Sequence, residues 1–285
     1  MADPTGVSIA FNDDLLEESP TWTRIDTDYV TGWTIDRGKN SELDSFGTGR
    51  ATITIVDTNG DFDPLNAAGA FYPDCEPRKQ VAICLQDPVT EEWSTLFRGM
   101  ILRWTWSPDG TEKMQTVTLE CADMFAYFAQ EEVLANGDYG EDVVGGNVVY
   151  NEDLSLYACQ TRLILVADQC GWPGAGLANS ALRDLNTGNV GLQEQTVAPR
   201  TSSLDVMMNI AAAEFPFGVS NLYMSKSGKL TFQGRYARFN PDTVDYNITR
   251  WPVGDQIACD EDANVAPIVA PLEPYRDEND IYTVG

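Results

Sequence analysis

The chain contains no histidine among its 285 residues. That absence removes Ser–His and Cys–His nucleophile pairs, histidine general bases and nearly all catalytic zinc sites. Basic residues are scarce as well: 18 Lys and Arg stand against 44 Asp and Glu, for a net charge of −26. A surface of that sign repels phosphate backbones and anionic lipid, which disfavours specific nucleic-acid binding and membrane-surface binding. The acids are spread along the chain and not gathered into a tail, as folded surfaces would have them. No Cys-x-x-Cys pair occurs, and Cys75, Cys84, Cys121, Cys159, Cys170 and Cys259 are expected as buried, unbonded thiols. The longest apolar run, Leu163–Ala167, is far below the roughly 20 residues that a membrane helix needs. No glycine-rich phosphate loop is present: Gly145-Gly146 and Gly174-Ala175-Gly176 lack the following Lys or the strand–helix setting. The opening Met1-Ala2-Asp3-Pro4-Thr5 has neither the basic segment nor the apolar core of a secretory signal, so synthesis and assembly in the cytoplasm are expected.

What remains is a globular composition, 43% hydrophobic, on a chain long enough for two modest domains. Residues 22–121 are dominated by strand patterns. Ile53 and Ile55 face one way while Thr52, Thr54 and Val56 face the other, the period of two of a half-buried strand. Asn59-Gly60 follows with the chemistry of a sharp reversal. Val81-Ala82-Ile83-Cys84-Leu85 is apolar on both faces and predicts an interior strand. Leu102, Trp104 and Trp106 alternate with Arg103 and Thr105, and Val117, Leu119 and Cys121 alternate with Thr116, Thr118 and Glu120. Such strands with turns between them predict a small barrel or sandwich.

A helical period then takes over from Ala122 to Val133, with Met124, Phe125 and Phe128 on one face. Residues 136–153 read as a loop and boundary. A second helix is predicted over about 154–170, with Leu156, Cys159, Leu163, Val166 and Cys170 on its face, ended by Gly171 and Pro173. A third follows Ser202, with Asp205 giving a capping-box-like start. Its face is predicted as Leu204, Met208, Ala211 and Phe215, closed by Pro216 and Gly218. Leu222-Tyr223-Met224 and Leu230-Thr231-Phe232 flank a turn and predict a hairpin. The fold class expected is therefore β-rich α+β. It divides into an N-terminal arm (1–21) able to pair with a neighbouring sheet or subunit, a β-barrel module with a terminal helix (22–135), an inserted α/β domain (136–250) and an extended, proline-punctuated return segment (251–285). The last segment ends on the strand signal Ile281-Tyr282-Thr283-Val284, which suggests that further chain follows.

Several short motifs stand in a telling order. They are Arg37-Gly38-Lys39, the run from Phe46-Gly47-Thr48-Gly49-Arg50 through Asp57-Thr58-Asn59-Gly60-Asp61-Phe62-Asp63-Pro64-Leu65-Asn66, Leu96-Phe97-Arg98-Gly99-Met100-Ile101, and Thr116 to Asp123. Gln169-Cys170-Gly171-Trp172-Pro173, Ala213-Glu214-Phe215 and Ser227-Gly228-Lys229-Leu230-Thr231-Phe232 continue the series. Together they resemble the minor tail proteins of long-tailed bacteriophages, which belong with the baseplate-hub and tail-tip components. The resemblance implies a β-barrel module related to tail-tube proteins, followed by a mixed α/β domain and arranged around a central channel. It implies a structural virion protein of the tail tip, without catalysis, that adapts the tail tube to the tip. Its partners would be copies of itself, three-fold symmetry being preferred to six-fold, with tube or distal-tail proteins above and tip or fibre proteins below. DNA would be met only in transit, and no cofactor is called for.

Particular residues carry these expectations. Asp57, Asn59, Gly60, Asp63, Pro64 and Asn66 are expected to shape a structural turn. Asp57, Asn59, Asp61 and Asp63 also alternate like calcium ligands, but an EF-hand needs Gly at position six and Glu at twelve, where Phe62 and Ala68 stand. The turn is the preferred reading. Glu112, Thr116, Thr118 and Glu120 are candidates to line an acidic channel, and Ile281, Tyr282 and Val284 to make oligomer contacts. The rival classes are a cell-wall hydrolase working through carboxylates and a carbohydrate-binding receptor module using Trp93, Trp104 and Trp106. The acid pairs Asp13-Asp14, Glu91-Glu92 and Glu131-Glu132 read as solvated faces.

Overall fold

The structure is a computed structural model, and it describes residues 4–38, 46–108, 115–133, 142–144, 147–151, 158–188, 190–213 and 220–234. The chain divides into two compact units, Met1–Arg235 and Tyr236–Gly285, of which the second lies wholly outside the described residues. The fold is β-rich α+β.

Seven strands build the first layer: β1 (Val7–Ala10), β2 (Thr23–Arg24), β3 (Val30–Asp36), β4 (Arg50–Asp57), β5 (Gln80–Gln86), β6 (Trp93–Pro108) and β7 (Gln115–Ala122). They form one antiparallel, half-barrel sheet in the order β2-β1-β5-β6-β7-β4-β3. The alternation read in the sequence sets its faces. Ile53, Ile55, Val117 and Leu119 are fully buried beside Val81 and Ile83, and Phe62 closes over them. Burying each such side chain contributes about 1.5–3 kcal/mol. Thr52, Thr54, Thr116, Thr118 and Glu120 take the opposite face.

Within segment 1–21, read as an arm able to pair with a neighbouring sheet or subunit, Val7–Ala10 pairs with both β2 and β5 and is buried throughout. One sheet expectation is corrected. Leu102 does not join the buried phase of β6. The register shifts between Ile101 and Arg103, so Ile101 is buried, Leu102 is 42% exposed, and Trp104 and Trp106 return to the inner face. An inserted residue reverses the alternation, which a strict period of two cannot anticipate.

The second region follows in chain order: α1 (Phe125–Gln130), β8 (Asp142–Val144), β9 (Asn147–Tyr150), α2 (Ala158–Gln169), β10 (Asn179–Ser180), β11 (Arg183–Leu185), β12 (Gln195–Val197), α3 (Ser203–Ala212), β13 (Asn221–Met224) and β14 (Leu230–Gln233). β10, β11, β14 and β13 make one small sheet and β12, β9 and β8 another, packed with the helices around Phe128, Leu163, Val166, Trp172 and Phe232. The helix of 122–133 is shorter than expected, since β7 runs on to Ala122. α2 buries Cys159, Leu163 and Val166 as expected, while Leu156 lies outside the described residues. Gly171 ends it at φ 69°, with its N–H on Asp168 O and that of Trp172 on Ala167 O.

α3 turns a different face inward. Ser203, Val206, Met207, Ile210 and Ala211 are buried, whereas Leu204 and Met208 pack only part-buried at the flank. With apolar residues at 204, 206, 207, 208 and 210, the period alone fits either stripe. Ser202 precedes α3 without a side-chain capping bond, so the expected box is not formed. Phe215, Pro216 and Gly218 lie outside the described residues.

Candidate functional site

The turn after β4 is organised by one carboxylate. Asp57 is fully buried, and its Oδ1 accepts the N–H groups of Asn59 (3.2 Å), Gly60 (2.8 Å) and Asp61 (3.0 Å). Its Oδ2 accepts the N–H of Phe62 at 2.8 Å. A nest of amide donors around an anion is the inverse of a cation site, because N–H dipoles point their positive ends inward. The other polar residues are likewise committed. Asp61 accepts Tyr29 Oη–H at 2.9 Å and Ala70 N–H at 3.1 Å, and Asp63 accepts Leu65 N–H at 2.8 Å. Asn66 donates from Nδ2 to Gly60 O at 2.8 Å and accepts Ala68 N–H at 3.1 Å. Pro64 is exposed in the same loop. Gly60 sits at φ 78°, a left-handed conformation that a side chain resists. The loop is anchored beneath by Phe11, Phe62 and Phe71, with Trp104 Nε1–H donating to Phe62 O at 3.2 Å.

The outer face of the sheet is the second candidate. Across β4, β7 and β6, Thr54, Thr118 and Thr105 lie side by side, and Thr52, Glu120 and Arg103 form the next row. Thr116 stands between Val56 and Ser107. The result is a hydroxyl-rich surface, and its Glu120 is not a lone acid. Arg103 Nη2 and Nε lie 2.8 and 3.1 Å from Glu120 Oε2. The acidic wall expected here is thus locally neutralised. Glu112, Ile281, Tyr282 and Val284 lie outside the described residues.

The tryptophans of the rival carbohydrate-binding reading stand in different surroundings. Trp104 and Trp106 pack on the sheet core, with Trp106 Nε1–H donating to Gln115 Oε1, whereas Trp93 lies at the start of β6 under the Arg24 guanidinium (4.9 Å). Glu91 and Glu92 are exposed, and among the described residues no group of three acids or thiols could hold a metal. The five described cysteines are buried and in no disulfide; burial pushes Cys75 and Cys121 up to about 12 and Cys170 to about 11, the wrong direction for a nucleophile.

Two functional-looking groups escaped the sequence reading. Arg37 donates Nη1–H to Leu96 O and Nη2–H to Met224 O, both at 2.8 Å, tying the large sheet to the hairpin of the second region. Beside it, burial lifts the Asp123 carboxyl to about 6, against the N–H groups of Gly49 and Phe125 and the Arg37 charge. Both residues lie inside the ordered motifs, so the signal was their position there and not their chemistry. The glycine of Leu96-Phe97-Arg98-Gly99-Met100-Ile101 also gains a reason: a Cβ at Gly99 would collide with the Ala122 carbonyl oxygen.

No family model matches the chain, and no curated protein does. Among solved structures, the 43 kDa tail protein of prophage MuSo2 from Shewanella oneidensis is similar with a TM-score of 0.39 and 13% identity, over 70% of this chain and 52% of its own. The tail protein from Neisseria meningitidis MC58 is similar with a TM-score of 0.40 and 10% identity, over 80% of this chain and 49% of its own. This chain spans about half the length of either. Likenesses at that distance carry no functional argument. Among the described residues no helix is long and apolar enough to cross a membrane.

Proposed function

We propose that the chain is a structural subunit of a long-tailed bacteriophage tail, placed at the tip or baseplate hub. It forms a homo-oligomeric ring around the DNA channel, three-fold in preference to six-fold, and adapts the tube above to the tip below. The observation that carries this reading is the outer face of β4, β7 and β6, where Thr52, Thr54, Thr105, Thr116 and Thr118 surround one compensated ion pair. A conduit for a polyanion must not hold it, and a basic wall would do so by releasing counterions. A hydroxyl surface whose Arg103–Glu120 pair is closed on itself, and whose exposed Arg50 stands opposite Asp36 of β3, offers phosphates little net attraction. The order of the tail-protein motifs supports the same reading. Apart from Arg37-Gly38-Lys39, whose described part follows β3, those in the first half of the chain fall on β4 with its turn, on β6, and on β7 leading into α1.

The chain is assigned no catalytic step. The Cys75, Cys121 and Cys170 thiols are held protonated by burial, and the Asp57 carboxylate of the turn is spent on backbone amides. Cryo-EM of the intact particle tests the proposal: several copies in a ring on the tail axis, with the threonine face toward the channel, are expected. One copy per tail, or a ring set off the axis, would overturn it. Zymography on peptidoglycan is expected to show no clearing. Clearing that a single Asp or Glu substitution abolishes would make the chain a hydrolase.

A further inference from the structure

A groove of about 340 Å³ opens where β3, the last strand of the large sheet, faces β1 and the ends of β5 and β6. One wall is four consecutive residues of β3, Val30 to Trp33, or about 13 Å of extended chain at roughly 3.3 Å per residue. The other wall presents Asp26, Gln86 and Trp93. Among the described residues, β3 pairs only with β4, so its outer edge carries backbone groups without a strand beside them. Natural sheets guard such edges with lysine, proline or bulges. Val30-Thr31-Gly32-Trp33-Thr34-Ile35 has neither lysine nor proline, and its single irregularity falls between Val30 and Gly32. Trp33 is 40% exposed, and a Cβ built on Gly32 meets nothing within 4 Å. The edge is open, apolar and roomy.

We infer that this groove receives an extended, basic segment of a different protein, which adds to the β3 edge as a further strand and lays an aromatic or aliphatic side chain against Trp33. The charge around the groove selects that occupant. Residues 24–36 and 84–93 contain six acids, Asp26, Asp28, Asp36, Asp87, Glu91 and Glu92, against Arg24 alone. Arg24 and Asp26 pair with each other at 2.6 Å, which leaves five acids in these segments and no further base. A second copy offers no such segment, since its 18 Lys and Arg are scattered and never stand more than two in a row. Backbone pairing would supply affinity and the side-chain pockets specificity.

The test uses the full chain and a fluorescent heptapeptide alternating lysine with valine around a central tryptophan, read by anisotropy. Saturable binding is expected, weakened about tenfold or more when alternate peptide amides are N-methylated, when glutamates replace the lysines, or in Gly32→Leu. Gly32→Leu should fill the groove while leaving the melting temperature in place, and Trp33→Ala supplies a second variant that removes the platform without adding bulk. No saturable binding, equal binding of the N-methylated peptide, or wild-type binding by both variants would overturn the inference. Quenching of tryptophan fluorescence by a chito-oligosaccharide, lost in Trp33→Ala and unaccompanied by peptide binding, would make the groove a glycan site and overturn it as well.

Discussion

The two cores of the described chain are held by different means. In the large sheet, burial is a local property: β4 and β7 alternate in and out, and their neighbours supply a continuous ladder of backbone bonds. In the second region the strands are two to four residues long, too short for ladders to satisfy the connecting loops. Guanidinium groups do that work. Buried Arg183 donates to the carbonyls of Pro173 (2.7 Å), Leu177 (3.4 Å) and Trp172, with Nη2 2.7 Å from Asp168 Oδ1. Arg162 likewise reaches Gln193 O and Asn151 O. Where secondary structure is brief, planar cations with several donors replace the missing backbone partners.

The sharpest way to break that contrast is Arg183→Met. It leaves Asp168 buried without its cation, and loss of one partner of such a pair costs about 3–5 kcal/mol. Urea unfolding should show the loss, and the fluorescence of buried Trp172 should change first. Adding Asp168→Leu should recover part of it; a double variant as unstable as the single would refute the ionic account.

The next effect lies at the junction between regions and depends on pH. Asp123 titrates at about 6 in the fold against an ordinary 3.8, so the folded state holds that proton more tightly than the unfolded chain. Its contribution to stability is present in full below about pH 4 and is lost as pH rises to about 6, on the order of 2–3 kcal/mol. Asp123→Asn should flatten that part of the stability–pH curve. An unchanged curve would remove Asp123 from the account.

Within the sheet region, Gly60→Val should destabilise by more than roughly 1 kcal/mol, since φ 78° resists a β-branched residue and its Cβ would press on Asn66 Nδ2 at 2.9 Å. Added calcium should leave the melting temperature unchanged in both proteins; a rise that Asp61→Ala abolishes would restore the metal reading. The smallest effect is expected for Glu120→Gln, because its pair with Arg103 is solvent-exposed and worth about 0.2–1 kcal/mol. A larger loss would show that the threonine face is covered by a neighbour.

These contrasts also explain what could be read in advance. Ile53, Ile55, Val117 and Leu119 announced their face because a strand needs only its neighbours two residues away. The Asn59-Gly60 reversal was equally plain, although Asp57 as its hub was not, since an aspartate spent on four amides looks in sequence like any ligand carboxylate. Leu102 misled because a bulge leaves no mark in composition. The face of α3 misled because apolar residues occupy two overlapping stripes. Trp33 was passed over, as its exposure follows from lying on the last strand, and strand order in a sheet is a long-range property.

The convergence of amides on Asp57 has a consequence for isotope exchange. Loop N–H groups normally swap deuterium for hydrogen quickly, but those of Gly60, Asp61 and Phe62 point into one buried carboxylate. Their protons can leave only when the whole reversal opens, so they should exchange on the slow clock of the sheet. A deuterium map of this protein would then show a protected island lying outside every strand, and a footprinting reagent would count it as interior.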